Sequence, residues 1–149
     1  MDLLLTGGTG FFGKALLRHW QAASAPLQVT VLTRDPGGFL ASHPEFAALP
    51  WLRFHAGDIL NPASLPATAS FTHLLHAAAD STLGPRLTPL QRYTQIVDGT
   101  RHLLDYAVTH GGPRFLLASS GAVYGAQPQG MDRIPEDYHG MPNPLDARN

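Results

Sequence analysis

Three glycines, Gly7, Gly10 and Gly13, fall three residues apart near the start of this 149-residue sequence. They sit in MDLLLTGGTGFFGK, residues 1–14, where the apolar run Leu3-Leu4-Leu5 stops and a helical pattern opens. Residues 8–13 also satisfy G-x-G-x-x-G. The chemistry this spacing permits is the holding of a dinucleotide pyrophosphate by backbone alone. One glycine makes the turn, one lets the backbone approach the phosphates, and one lets the helix pack on the strand. The helix start adds unpaired N–H groups and the positive end of its dipole. Gly7, Gly10, Phe11, Phe12 and Gly13 are therefore the first cofactor-binding candidates. A second position bears on the same ligand. An acid at the end of the second strand would accept from both ribose hydroxyls and repel a 2′-phosphate. This chain has Thr33 and then Arg34, and a guanidinium pairs with a 2′-phosphate and stacks on adenine. Arg34 leans the choice between NAD and NADP toward NADP. Asp35 next to it blunts that lean, and a solvated turn arginine stays open as the alternative.

These residues need a scaffold, and the hydrophobic pattern supplies one. Residues 14–23 (KALLRHWQAA) carry Leu16, Leu17 and Trp20 at helical spacing. Residues 28–33 (QVTVLT) are rich in β-branched types and read as the second strand. The sequence Asp35-Pro36-Gly37-Gly38 reads as a turn, and residues 39–49 as a short helix weakened by Pro44. Residues 51–55 (WLRFH) alternate as a third strand ending at Gly57-Asp58. Residues 61–72 support one turn of helix at most, and residues 73–76 (HLLH) form a fourth strand. The strongest helix lies within residues 85–112, where Tyr93, Ile96, Val97, Thr100, Leu103, Leu104, Ala107 and Val108 keep the i, i+3, i+4 rhythm until Gly111-Gly112-Pro113 stops it. Residues 114–118 (RFLLA) read as a fifth strand, short and bounded as expected of one buried on both faces. Alternating strands and helices predict an α/β domain: a doubly wound parallel sheet, the Rossmann architecture, of about five strands.

Composition narrows the function. The net charge is −1, from ten basic and eleven acidic residues. No basic stripe points to nucleic acid and no polybasic cluster to an anionic membrane. No stretch approaches the roughly 20 apolar residues of a membrane span. The chain has no cysteine, which excludes disulfides, thiolate catalysis and cysteine-bound zinc. A cytoplasmic location is the expectation. The eight histidines are scattered. His73 and His76 are an odd number apart on a strand and so face opposite sides, and no metal site is expected. Residues 121–149 hold four prolines and four glycines with no sustained period, and read mostly as loop.

Three separated motifs make the chain resemble the N-terminal portion of the extended short-chain dehydrogenase/reductases, the family of nucleotide-sugar epimerases and dehydratases. They are Thr6-Gly7-Gly8-Thr9-Gly10-Phe11-Phe12-Gly13, Gly57-Asp58-Ile59, and Ser119-Ser120-Gly121-Ala122-Val123-Tyr124-Gly125. His76-Ala77-Ala78-Ala79 and Asp98-Gly99-Thr100 with Leu103-Leu104 add to them. The resemblance implies a nucleotide-sugar substrate and a dinucleotide held over residues 7–13. Asp58 would accept from the adenine amino group, as a carboxylate can, with Ile59 beside the ring. Ala77 and Ala78 would stay small beneath the cofactor. Ser120, four before Tyr124, is the catalytic candidate: its hydroxyl would orient the reacting sugar oxygen. Tyr124 looks like a packing residue.

The family also uses Tyr-x-x-x-Lys, in which the ammonium lowers the phenol's pKa. Lys14 is the only lysine here, and it stands in the glycine-loop helix. Two registers are open. In one, Leu145 and Asn149 occupy the tyrosine and lysine positions and the protein is inactive. In the other, residues 144–149 approach a tyrosine that is not in the sequence, and the chain is a truncated form with no substrate domain. Ile96 also stands where the family often has asparagine. A non-catalytic dinucleotide-binding sensor or assembly module is the alternative function. The resemblance further implies a homodimer packed through the long helix, with an apolar face left exposed in this chain.

Overall fold

A computed structural model describes residues 1–67, 70–79 and 87–142. Two units are distinguished along the chain, Met1–Leu117 and Ala118–Asn149.

In the first unit, alternation within each strand divides the core between two faces. Five parallel strands run in the order β3-β2-β1-β4-β5: β1 (Asp2–Thr6), β2 (Gln28–Thr33), β3 (Leu52–Ala56), β4 (His73–His76) and β5 (Arg114–Leu117). Leu3 and Leu5 with Val29 and Val31 point to one face, where they meet Leu17 of α1 (Phe11–Ala22) and Phe39 of α2 (Pro36–Ser42). Leu4, Leu32 and Leu74 point to the other, where Leu103, Tyr106 and Ala107 of the long helix cover them. Leu4, Leu5 and Val31 are fully shielded from solvent. The sheet is therefore wound on both sides, as the alternating pattern predicts.

The long helix occupies residues 89–109 in three consecutive segments: α3 (Pro89–Tyr93), a π-helical turn (Thr94–Asp98) and α4 (Gly99–Thr109). Thr88 opens it with a capping box. Its hydroxyl accepts from the Gln91 N–H, and the Gln91 side chain accepts from the Thr88 N–H. The predicted start at residues 85–86 lies outside the described residues, as do Leu145 and Asn149. Leu90, Tyr93, Ile96, Val97, Leu104 and Val108 of this helix are exposed. Among the described residues, no helix is long and apolar enough to cross a membrane.

Three expectations change. Asp35-Pro36-Gly37-Gly38 opens α2 and is not a free turn: the Asp35 carboxylate caps the helix by accepting from the Gly38 N–H at 2.9 Å, and Pro36 stands at the first helical position. That helix then ends at Ser42, and Pro44–Phe46 continues as a separate 3-10 turn. The fifth strand is not buried on both faces. Leu116 and Leu117 point to opposite sides and both are exposed, because β5 is the last strand of the sheet and no helix among the described residues of this unit follows it.

Candidate functional site at the switch point of the sheet

Strand order reverses between β1 and β4, and the loops leaving these two neighbours run in opposite directions across the sheet. In doubly wound sheets the crevice at that edge is where ligands bind. The glycine segment leaves β1 there, and Ala77 and Ala78 leave β4. Gly7 has φ of +75°, a left-handed conformation suited to glycine, and a Cβ on it would lie 2.7 Å from the Ala78 nitrogen and collide with the Ala77 carbonyl. The two loops are thus in backbone contact. Gly13 is the packing glycine: a Cβ there would collide with the backbone of Gly7 and Gly8. Gly10 differs. A Cβ on it would meet only the Gly7 carbonyl, at 3.3 Å, so its outer side is open.

Gly10 is also the N-cap of α1, and no side chain caps the helix. The first backbone bond into the helix is Lys14 N–H to the Gly10 carbonyl, at 3.0 Å. Helix geometry leaves the N–H groups of Phe11, Phe12 and Gly13 without intrahelical acceptors. The first turn carries no acid, so its positive field is not cancelled by a neighbouring carboxylate. Phe11 and Phe12 are exposed and form an edge-on pair with centroids 5.4 Å apart.

At the same edge, β2 ends before Arg34 and β3 before Gly57-Asp58-Ile59. Arg34 is exposed, and the neighbouring Asp35 is committed to capping α2. Asp58 is half-buried in a closed loop. Its N–H donates to Ser64 Oγ at 2.9 Å, and its Oδ1 accepts from the Leu60 N–H at 2.9 Å. The Ser64 hydroxyl reaches the Asn61 carbonyl at 2.7 Å, and His55 Nε2 reaches the Ser64 carbonyl at 3.0 Å. Oδ1 is held by this turn, which fixes the carboxylate's direction.

In the second unit, Ser120 is exposed and precedes the 3-10 turn Gly121–Tyr124. Its Oγ accepts from the Ala122 N–H at 3.2 Å. A hydroxyl used as an acceptor keeps its proton for donation. The Tyr124 hydroxyl donates to Glu136 Oε2 at 3.2 Å, and that carboxylate, with the hydrogen bond to it, holds the phenol above its ordinary pKa. This is the wrong direction for a base working near neutrality.

A profile of the NAD dependent epimerase/dehydratase family matches residues 3–146. The chain belongs to that family. It is 31% identical over 132 residues to a dTDP-glucose 4,6-dehydratase of Streptomyces griseus, covering 86% of this chain and 40% of the relative. It is 31% identical over 131 residues to a UDP-glucose 4-epimerase of Streptomyces lividans, covering 85% of this chain and 38% of that one. Among solved structures, a double mutant of a dTDP-glucose 4,6-dehydratase from Streptomyces venezuelae, with NAD and DAU bound, superposes with a TM-score of 0.72. It is 32% identical, covering 87% of this chain and 42% of that one. The chain therefore spans about two-fifths of the length of the curated relatives it matches.

One part of this epimerase/dehydratase chain was not assigned a role from sequence. Thr6 and His76 are register partners on β1 and β4, and both are buried. Thr6 Oγ1 and His76 Nδ1 are 2.7 Å apart, and His76 Nε2 lies 3.1 Å from Thr100 Oγ1. The Thr100 hydroxyl donates to the Ile96 carbonyl at 2.6 Å, inside the π-helical turn. Its single proton is thereby used, so His76 Nε2–H donates to it and Nδ1 accepts from Thr6. The network links the strand entering the glycine loop, the strand entering Ala77 and the long helix. Its three residues each lie in a motif named from the sequence, but nothing local pairs them, because their contact depends on the β1–β4 register.

Burial holds the His76 imidazole below its ordinary pKa. The folded protein keeps it neutral, whereas in the unfolded chain it titrates near the unperturbed value of about 6.5. Its contribution to stability is therefore full above that value and is lost as pH falls toward the lowered one. Thermal melts at pH 7.5 and 5.5 are expected to show a lower Tm at pH 5.5 and a smaller drop in His76→Gln. An equal drop in both proteins would place the acid sensitivity elsewhere. Among the described residues, no group of three His, Asp or Glu side chains is placed to hold a metal ion.

Proposed function

We propose that this chain is the dinucleotide-binding part of an oxidoreductase of the epimerase/dehydratase type acting on a nucleotide sugar, and that it takes NADP in preference to NAD. The observation that carries the reading is the cradle at the switch point: unpaired helix N–H groups, an acid-free first turn and a Gly10 whose outer side is open. These features fit a pyrophosphate. The N–H groups of Phe11, Phe12 and Gly13 hold the phosphates. Ala77 and Ala78 keep the neighbouring loop small. Asp58 accepts from the exocyclic amine of adenine, and Ile59 packs beside the ring. When bound, the dinucleotide supplies a reversible two-electron oxidant. Arg34 pairs with a 2′-phosphate, and the capping role of Asp35 supports this choice, since that carboxylate is turned into α2. Ser120 offers its hydroxyl proton to the reacting sugar oxygen. The exposed apolar face of residues 89–109 supports a homodimer packed through that helix.

A second reading rests on Lys14 being the only lysine, so that no tyrosine stands four residues before one. These 149 residues then bind dinucleotide without turning over sugar, as a sensor or assembly module would. Fluorescence titration of the purified chain with NADPH is expected to saturate. Incubation of the same chain with dTDP-glucose or UDP-glucose and cofactor is expected to give no altered sugar. Failure to bind either dinucleotide would contradict the cofactor reading, and sugar turnover would contradict the missing base.

A further inference from the structure

The loop that carries Asp58 does not stand on its own hydrogen bonds alone. It is fixed to the long helix at two points, both on Ile59. The first is steric. A Cβ on Gly99 would lie 2.7 Å from Ile59 Cδ1, so the isoleucine packs directly on the bare glycine backbone at the start of α4 and would have to shift to admit a side chain there. The second is polar. His102, one turn along α4, has Nδ1 2.9 Å from the Ile59 carbonyl, across 43 residues of sequence. A carbonyl only accepts, so Nδ1 carries the proton and donates, in either the neutral ring with that tautomer or the charged ring. His102 itself is half-buried. The carbonyl it holds belongs to the Ile59–Leu60 peptide, and the N–H of that same peptide turns the Asp58 carboxylate by donating to its Oδ1.

We propose that His102 is a positioning residue for adenine recognition: by fixing the Ile59 carbonyl it sets the direction of the Asp58 carboxylate without touching the ligand. This rests on the reading of Asp58 as the acceptor for the adenine amino group. Loss of the bond leaves the loop closed by its own contacts with Ser64 and lets the Ile59–Leu60 peptide rotate, carrying with it the N–H that holds the Asp58 carboxylate. The fold then persists while selectivity for the exocyclic amine drops.

The test uses the full 149-residue chain and two probes, NADPH and its analogue with hypoxanthine in place of adenine, which lacks that amine. In His102→Asn the amide nitrogen stands where Nδ1 stood and can still donate. In His102→Gln it stands one methylene further out and cannot reach Ile59. The preference for adenine over hypoxanthine is expected to fall about fivefold in His102→Gln and in His102→Ala, the worth of one ordinary hydrogen bond. It is expected to stay within about twofold of the parent in His102→Asn, and Asp58→Ala is expected to abolish it. If Asp58→Ala abolishes the preference while His102→Gln and His102→Ala keep it, the positioning role is overturned and the adenine reading stands. Equal weakening of both probes in the His102 variants would show a merely structural role and also overturns it. An unchanged preference in Asp58→Ala would remove the adenine reading itself.

Discussion

Gly10→Ala and Gly13→Ala are expected to fail in opposite ways. At Gly13 a methyl group would collide with the backbone of Gly7 and Gly8, where no side chain can swing aside. The helix must move off the strand, and overpacking of this kind costs about 1–3 kcal/mol or more. Much of a small protein's net stability is at stake. At Gly10 the new methyl meets one carbonyl at 3.3 Å, and the backbone there has φ of −79°, which alanine adopts freely. Its cost to the fold is expected to stay within about 1 kcal/mol. The methyl points instead into the open side of the cradle, where the phosphates must come close to backbone. Chemical denaturation is therefore expected to show a large loss for Gly13→Ala and little for Gly10→Ala. Titration with NADPH is expected to show at least about a tenfold loss for the folded Gly10→Ala, from blocked N–H contacts. A Gly10→Ala protein that binds normally would mean the cradle is only a turn.

The second large effect concerns cofactor choice. Arg34→Ser is expected to weaken NADPH by about 10–100-fold, the range for losing a charge-assisted hydrogen bond to phosphate. NADH, which has no 2′-phosphate, is expected to change by about threefold at most. Because Asp35 caps α2, replacing it has a different signature: Asp35→Ala lowers stability by about 1 kcal/mol as a lost cap, with no large change in the NADPH-to-NADH ratio. Binding of NADH tighter than NADPH by the parent chain, unchanged by Arg34→Ser, would remove the lean toward NADP.

How much of this was legible in the sequence depended on whether the cause was local. The strand–glycine–helix turn was readable because an apolar run, three glycines and a helical period are adjacent. The start of α2 was misread because Gly37 and Gly38 are poor helix formers, yet one side-chain bond from Asp35 and the fixed φ of Pro36 outweigh them. The exposure of β5 was misread because an apolar strand of four residues looks the same at the edge of a sheet as in its middle. The π-helical turn and the Thr6–His76–Thr100 network had no local signal, since they arise from the β1–β4 register and the seat of the long helix. His102 was invisible for the same reason: its partner lies 43 residues away. Two of the glycine roles follow the spacing, with Gly7 at the turn and Gly13 packed against it.

The most direct measurement is an amide nitrogen–proton NMR titration of the 149-residue chain with NADPH. The signals of Phe11, Phe12, Gly13, Asp58, Ile59, Ala77 and Ala78 are expected to shift together along one saturable curve, while those of α4 from Leu103 onward stay in place. Saturable binding that leaves the signals of residues 7–13 unmoved would contradict the account.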